Sequence, residues 1–326
     1  MSNFTYANGR AKALEKNLLN KDRISRMIES TSISDALKVL SEVNFGKGIP
    51  LENTNDFDKL IDAEEKALID FIKEVGQNQE IITFFLAKYD YNNAEAIIKS
   101  KYLKADITQT LKADGVYSVS TLKEKIMIDD YRSFSQALST ELLKADNMFV
   151  NGKATGQEID LIFKKALYEE LYLCSRKLGD LKRIYNTKAD TTNIAIAIRT
   201  RNFSEAKEIF VDGGKLKLGQ LKIICEESPE IIKDKIKDYD LRDFIDLATA
   251  SLQANSPLSD FEKLSEDFSL NILMKDKYSI EGNVPFLLYC YYKFAELTNV
   301  RIIMVCLKNN VQKNVIKEKI RRGYEG

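Results

Sequence analysis

The sequence has no histidine and no tryptophan, and only four prolines, four cysteines and fourteen glycines in 326 residues. Without histidine there is no Ser–His or Cys–His nucleophile pair, no imidazole ligand for zinc and no side chain that ordinarily titrates near neutrality. Carboxylate or lysine chemistry remains open, but no constellation of such groups stands out along the chain. Cys174, Cys225, Cys290 and Cys306 form no C-x-x-C pair, and they read as reduced thiols of a cytosolic protein. Net charge is also lacking, since Lys+Arg and Asp+Glu both number 49. A general nucleic-acid binder needs a basic excess to displace counterions from phosphates, so that class is set aside. The longest apolar stretches, Ile81–Ala87 and Ile302–Leu307, fall short of the roughly 20 residues that span a bilayer. Residues Met1–Lys16 carry no apolar core of a secretory signal. The expectation is a soluble, non-catalytic protein with no cofactor, no metal and no nucleic-acid partner, which reaches a membrane only through another protein.

What is present is helical periodicity. Phe57, Leu60, Ile61, Leu68, Phe71, Ile72 and Val75 recur at steps of three and four with charges between them, the stripe of an amphipathic helix. Ser228-Pro229 and Ser256-Pro257 have the form of an N-cap followed by a first-turn proline, and Ser259-x-x-Glu262 that of a capping box. Prolines and glycines are too few for a turn-rich β fold, so the fold class predicted is all-α.

Two short patterns recur at a spacing of about 100 residues. An acidic residue stands three before an asparagine in Asp90–Asn93, Asp190–Asn193 and Glu296–Asn299, each after an aromatic segment and before an apolar helical run. A helix start reads Ser32-Ile33-Ser34-Asp35, then Ser133-Phe134-Ser135-Gln136, then more loosely Asp240-Leu241-Arg242-Asp243. In each, the residue three past the cap could return a bond to the cap's amide. Asp114-Gly115 leading to Leu122-Lys123 is echoed by Asp212-Gly213-Gly214 leading to Leu221-Lys222. These offsets divide the chain into three helical units, 1–112, 113–211 and 212–326. Units of that size can each hold a small core. Three alike units can close around a pseudo-threefold axis and leave a central opening.

With these residues in place, the chain resembles the C-subunit family of archaeal and bacterial V/A-type ATPases, and is similar to the d subunit of vacuolar ATPases. The N-terminal match is Tyr6, Arg10, Lys12, Leu14, Glu15 and Leu18-Leu19. The C-terminal match is Pro285, Tyr289, Lys293, Glu296, Asn299-Val300-Arg301-Ile302-Ile303 and Ile316–Ile320. Asp190-x-x-Asn193 with Arg199 and Gly213-Gly214 resembles the middle of the family. The chain departs from its own pattern at Val305, which stands where the first two units have Lys99 and Arg199. The resemblance implies a funnel of three similar helical domains with a central cavity. It also implies a non-catalytic central-stalk role between two partners, the central-shaft subunits (a coiled-coil shaft with its small companion) and the proteolipid rotor ring. The protein would then lie peripherally on the cytoplasmic side of the membrane. A free-standing helical scaffold for another coiled coil is the alternative, and it would ignore the ring.

Other motifs have plain readings. Gly46-Lys47-Gly48, Asn151-Gly152-Lys153 and Asp212-Gly213-Gly214-Lys215 lack the full Walker pattern and read as turns or helix stops. Asp90, Asn93, Asp190, Asn193, Glu296 and Asn299 are expected as structural anchors that satisfy backbone groups at a helix kink or a tight helix junction, not as metal ligands or acid–base groups. The basic tail, with Lys308, Lys313, Lys317, Lys319, Arg321 and Arg322, reads as a solvated helix face or as a contact for an acidic partner or anionic lipid. Phe286, Tyr289, Tyr291, Tyr292 and Phe294 are expected in the core.

Overall fold

The computed structural model describes residues 4–104, 106–108, 110–237, 241–254, 260–278 and 282–325, apart from the side chains of residues 254 and 262. Among these residues the protein is helical throughout, with one isolated β-bridge between Asn20 and Tyr324. In chain order the helices begin with α1 (Thr5–Glu15), α2 (Lys21–Glu29), α3 (Ile33–Ser41) and α4 (Asp58–Val75). There follow α5 (Gln79–Leu103), α6 (Val119–Met127), α7 (Gln136–Val150), α8 (Gly156–Ser175) and α9 (Gly179–Thr200). Next come α10 (Phe203–Ile209), α11 (Leu218–Glu226), α12 (Pro229–Lys235) and α13 (Arg242–Ala254). The last are α14 (Asp260–Met274), α15 (Val284–Lys308) and α16 (Lys313–Lys319). No described helix is long and apolar enough to cross a membrane.

Two compact units result, one of Met1–Asn78 with Glu262–Gly326 and one of Gln79–Phe261. Compactness therefore cuts the chain differently from the sequence repeat, because it joins both chain ends in one unit. In that first unit α15 packs against α1, α2, α3, α4 and α16. Its apolar residues run around the whole circumference, so it is covered on all sides rather than amphipathic. Phe286, Leu287, Val300, Ile303 and Met304 are fully buried. The α4 stripe is buried from Leu60 to Val75, and Phe71 sets its ring 5.7 Å from Phe286 and 5.2 Å from Tyr289. Each such large side chain removed from water contributes roughly 1.5–3 kcal/mol.

In the second unit α5 packs on α6, α7 and α8, while α9 packs on α8, α10, α11 and α13. Tyr185 in α9 is fully buried, with Tyr172 at 5.6 Å and Tyr168 at 6.4 Å between ring centres. α8 opens with a complete capping box in which Thr155 and Glu158 bond each other's backbone amides. α9 stops at Arg201, which takes a left-handed φ of 51° and turns its guanidinium onto the carbonyls of Ile224 and Glu227.

The expected helix starts fare differently. Ser32 caps α3 by accepting the Asp35 amide at 3.2 Å, but Asp35 turns its carboxylate to the hydroxyls of Ser32 and Thr31 rather than to a backbone amide. The second cap is Ser135, not Ser133, because Tyr131–Ser133 forms a 3-10 turn ahead of α7 and Ser135 accepts the Leu138 amide. Pro229 is the first residue of α12, behind an extended Ser228. Asp240, Ser256-Pro257 and Ser259 lie outside the described residues. Of the aromatic run in α15, Phe286, Tyr289 and Tyr292 are buried, and Tyr291 and Phe294 are half-buried.

Candidate functional site

The three acidic–asparagine pairs sit midway along the three longest helices, α5, α9 and α15. Helix on each side holds them in place. All six residues are at most 3% exposed, so each polar atom needs a partner. In α5 the Asp90 carboxylate accepts the amides of Val116 and Tyr117 at 2.9 and 3.0 Å. One turn later, Asn93 accepts the Lys112 amide at 2.7 Å and donates to the Ala113 carbonyl at 3.1 Å. α9 repeats the device. Asp190 accepts Lys215 at 2.8 Å and Leu216 at 3.0 Å, and Asn193 both accepts from and donates to the Val211 backbone at 2.9 Å. A carboxylate can only accept and an amide can do both, so the acid takes two adjacent N–H groups while the asparagine imitates one rung of a backbone ladder. The pairs thus clamp the loop about 20 residues downstream instead of mending a kink in their own helix.

The glycines after each clamp have a defined reason. A Cβ on Gly115 would overlap the Asp90 carboxylate, and one on Gly214 would overlap that of Asp190. Gly213 and Gly214 also hold φ values of 91° and 85°, which L side chains rarely adopt. The Asp-Gly echo in the sequence is the trace of this close approach.

The third pair departs. Asn299 accepts the Arg321 amide at 2.7 Å and donates to its carbonyl at 2.9 Å, as Asn193 does with Val211. Glu296 does not reach that loop. Its Oε2 accepts the amide of Leu19 at 2.5 Å, and its Oε1 takes the ammonium of Lys293. Lys293 also pairs with Glu64 at 2.7 Å and lies 5.1 Å from the centre of the Phe45 ring, while Glu64 accepts the Gly46 amide at 2.9 Å. All three charged groups are under 10% exposed. Burial pushes the Glu296 carboxyl above its usual range, and Lys293 only partly offsets this. For Lys293 burial pulls the other way, but Glu296 and Glu64 outweigh it and raise its pKa. A permanently protonated, twice-paired ammonium is no nucleophile or base. Glu64 and Lys293 line a cavity of about 700 Å³ in the first unit, together with Arg10, Phe45, Phe71 and Tyr289.

Glu64 and Lys293 are not marked as partners by the sequence patterns. A signal was there: Glu64 falls in register on the apolar stripe of α4, and Lys293 and Glu296 are the charged pair inside the otherwise apolar run Val284–Val300. The tail cations are largely engaged within the first unit. Lys313 and Lys317 both pair with Glu29, Arg321 with Glu266, and Arg322 donates to Asn271. Cys174, Cys225 and Cys290 are buried free thiols, and burial pushes Cys174 up to about 12, so it is unreactive near neutral pH. Among the described residues no group of three or more Cys, Asp or Glu is placed to hold a metal.

Buried clamps pin α5 and α9 to their own downstream loops, and α15 to the segments around Leu19 and Arg321. The sequence profile of the ATP synthase (C/AC39) subunit matches residues 7–319. The chain belongs to this family. Among its relatives, the C subunit of the V-type sodium ATPase of Enterococcus hirae is 22% identical over 331 residues, covering 95% of this chain and 96% of that protein. The C subunit of the A-type ATP synthase of Thermococcus onnurineus is 21% identical over 348 residues, covering 97% and 89%. The C subunit of the V-type ATP synthase of Deinococcus radiodurans is 26% identical over 233 residues, or 65% of each chain. As a member of the C/AC39 family the protein is an accessory subunit of a V/A-type ATPase, and the clamps at Asp90, Asp190 and Glu296 belong to the body of that subunit.

Proposed function

We propose that the protein is the central-stalk coupler of a V/A-type rotary ATPase, which transmits rotation between the central shaft and the ion-carrying ring in the membrane. The observation that carries this reading is the family match along nearly the whole chain, from residue 7 to residue 319. The mechanical character of the fold supports it. Torque transfer needs a body that does not shear, and buried hydrogen bonds to carboxylates fix α5 and α9 to their own downstream segments and α15 to Leu19. In this reading the units 1–112, 113–211 and 212–326 stand around a pseudo-threefold axis as a funnel. Its mouth receives the coiled-coil shaft and its small companion, and its narrow end rests on the cytoplasmic face of the ring. No bond is made or broken within it, and the choice of sodium or proton belongs to the ring.

The test is co-elution of the purified protein with the two shaft subunits and, separately, with the detergent-solubilised ring, in the absence of nucleotide. Binding to both is expected. Binding to the shaft alone would replace the coupler by a scaffold, and binding to neither folded partner would overturn the reading.

A further inference from the structure

The three clamps share a register that extends beyond the clamps themselves. The amide taken by the acidic residue lies two residues ahead of a nine-residue helix each time. Tyr117 precedes α6, Leu216 precedes α11 and Leu19 precedes α2. The backbone taken by the asparagine also keeps its place, for Val211 lies two residues past the seven-residue α10 and Arg321 two past the seven-residue α16. In the first two clamps, both arms hold one continuous stretch, 112–117 or 211–216. In the third, Asn299 holds the C-terminal segment and Glu296 holds the N-terminal one.

Other contacts lay the two ends alongside each other within the first unit. Asn20 and Tyr324 form a parallel bridge, and the Tyr324 ring meets Tyr292 edge-on at 5.6 Å. α16 is tied to α2 through Lys313 and Lys317 on Glu29, at 2.9 and 2.8 Å. Leu18, Leu19 and Ile316 are buried.

We propose that residues 18–20 take, in the third clamp, the place that 116–117 and 215–216 take in the first two, and that this clasp between two segments far apart in the chain opens before either internal clamp. The physical reason is tethering. When Asp90 or Asp190 releases its amides, the loop is still joined to the segment that Asn93 or Asn193 holds, and the short tether returns it at high effective concentration. No such short tether links Leu19 to Arg321, which lie far apart in the sequence, so a released Leu19 is not returned in the same way. An open clasp would free the α1–α2 segment from α15 and α16 and expose Leu18, Leu19 and Ile316. This inference does not depend on the functional reading above.

Residue-resolved hydrogen exchange on the full chain tests it. The Leu19 amide should exchange at least about tenfold faster than those of Tyr117 and Leu216, as expected of the least stable of several local openings. E296Q should accelerate Leu19 and leave Tyr117 and Leu216 unchanged. A circular permutant running 115–326, a Gly/Ser linker and then 1–114 separates the two arms of the first clamp, Lys112 and Ala113 from Val116 and Tyr117. It should fold, and Tyr117, now without its short tether, should become a fast amide while Leu216 stays slow. Equal protection of the three amides in the natural chain would overturn the clasp. A folded permutant in which Tyr117 stays as slow as Leu216 would also do so, as would an E296Q protein in which Leu19 is no faster than before.

Discussion

Asp190→Asn keeps the volume of the side chain and converts one of its two acceptor atoms into a donor. In the natural protein both carboxylate oxygens face N–H groups, of Lys215 and of Leu216. The amide oxygen can keep one of these bonds, whereas the new NH2 group confronts the other N–H donor to donor. A hydrogen bond to a charged acceptor contributes about 1.5–3 kcal/mol, and a buried donor left without a partner costs about 1–3 kcal/mol. Relaxation of the loop recovers part of the sum, so the expected loss is about 2–4 kcal/mol, the larger part of it in the second unit. For a unit of this size that corresponds to about 5–12 °C in Tm. Urea unfolding followed by far-UV circular dichroism gives the stability, and hydrogen exchange at Lys215 and Leu216 gives its location. A loss below about 0.5 kcal/mol with both amides still protected would refute the clamp as a stabilising element, since ordinary surface changes have effects of that size.

Gly214→Ala places a Cβ against the Asp190 carboxylate at a φ of 85°, so it should destabilise by about 2 kcal/mol or more, and Gly152→Ala, at 65° with open space around it, by less; thermal melts of the two variants give the comparison. Lys293→Met leaves the Glu64 and Glu296 carboxylates buried without their cation, which costs about 3–5 kcal/mol near neutrality. Because burial raises the Glu296 carboxyl, it can relieve the strain by taking a proton once the cation is gone, so the deficit should shrink as pH falls below neutrality, and a deficit independent of pH would contradict the account. Glu29 is held down to about 2 by hydrogen bonds from Lys317 and Lys313 and by their charges. Its folded value lies below its ordinary one, so its contribution is complete above pH 4.5 and is lost as pH falls through 2. Acid titration in that window should release α16 from α2, seen as faster exchange of the Glu29 and Ile316 regions, and Glu29→Gln should abolish the transition.

The all-helical class was legible in the sequence because it rests on local physics: three- and four-residue spacing in α4, caps such as Ser32, and the scarcity of turn residues. The recurrence of Asp90–Asn93, Asp190–Asn193 and Glu296–Asn299 was equally visible, since a repeat needs no coordinates to be counted. What those residues hold was not visible. Their partners lie about 20 residues away in the chain for the first two pairs, and Leu19 lies at the other end of the chain from Glu296. Glu64 and Lys293 are likewise far apart in sequence and meet only because α4 packs on α15. Hydrophobic spacing dictates which face of a helix is buried, but buried polar atoms must find partners wherever the packed chain brings them. The tertiary structure alone therefore decided that two clamps close on continuous loops, while the third joins the two ends of the chain.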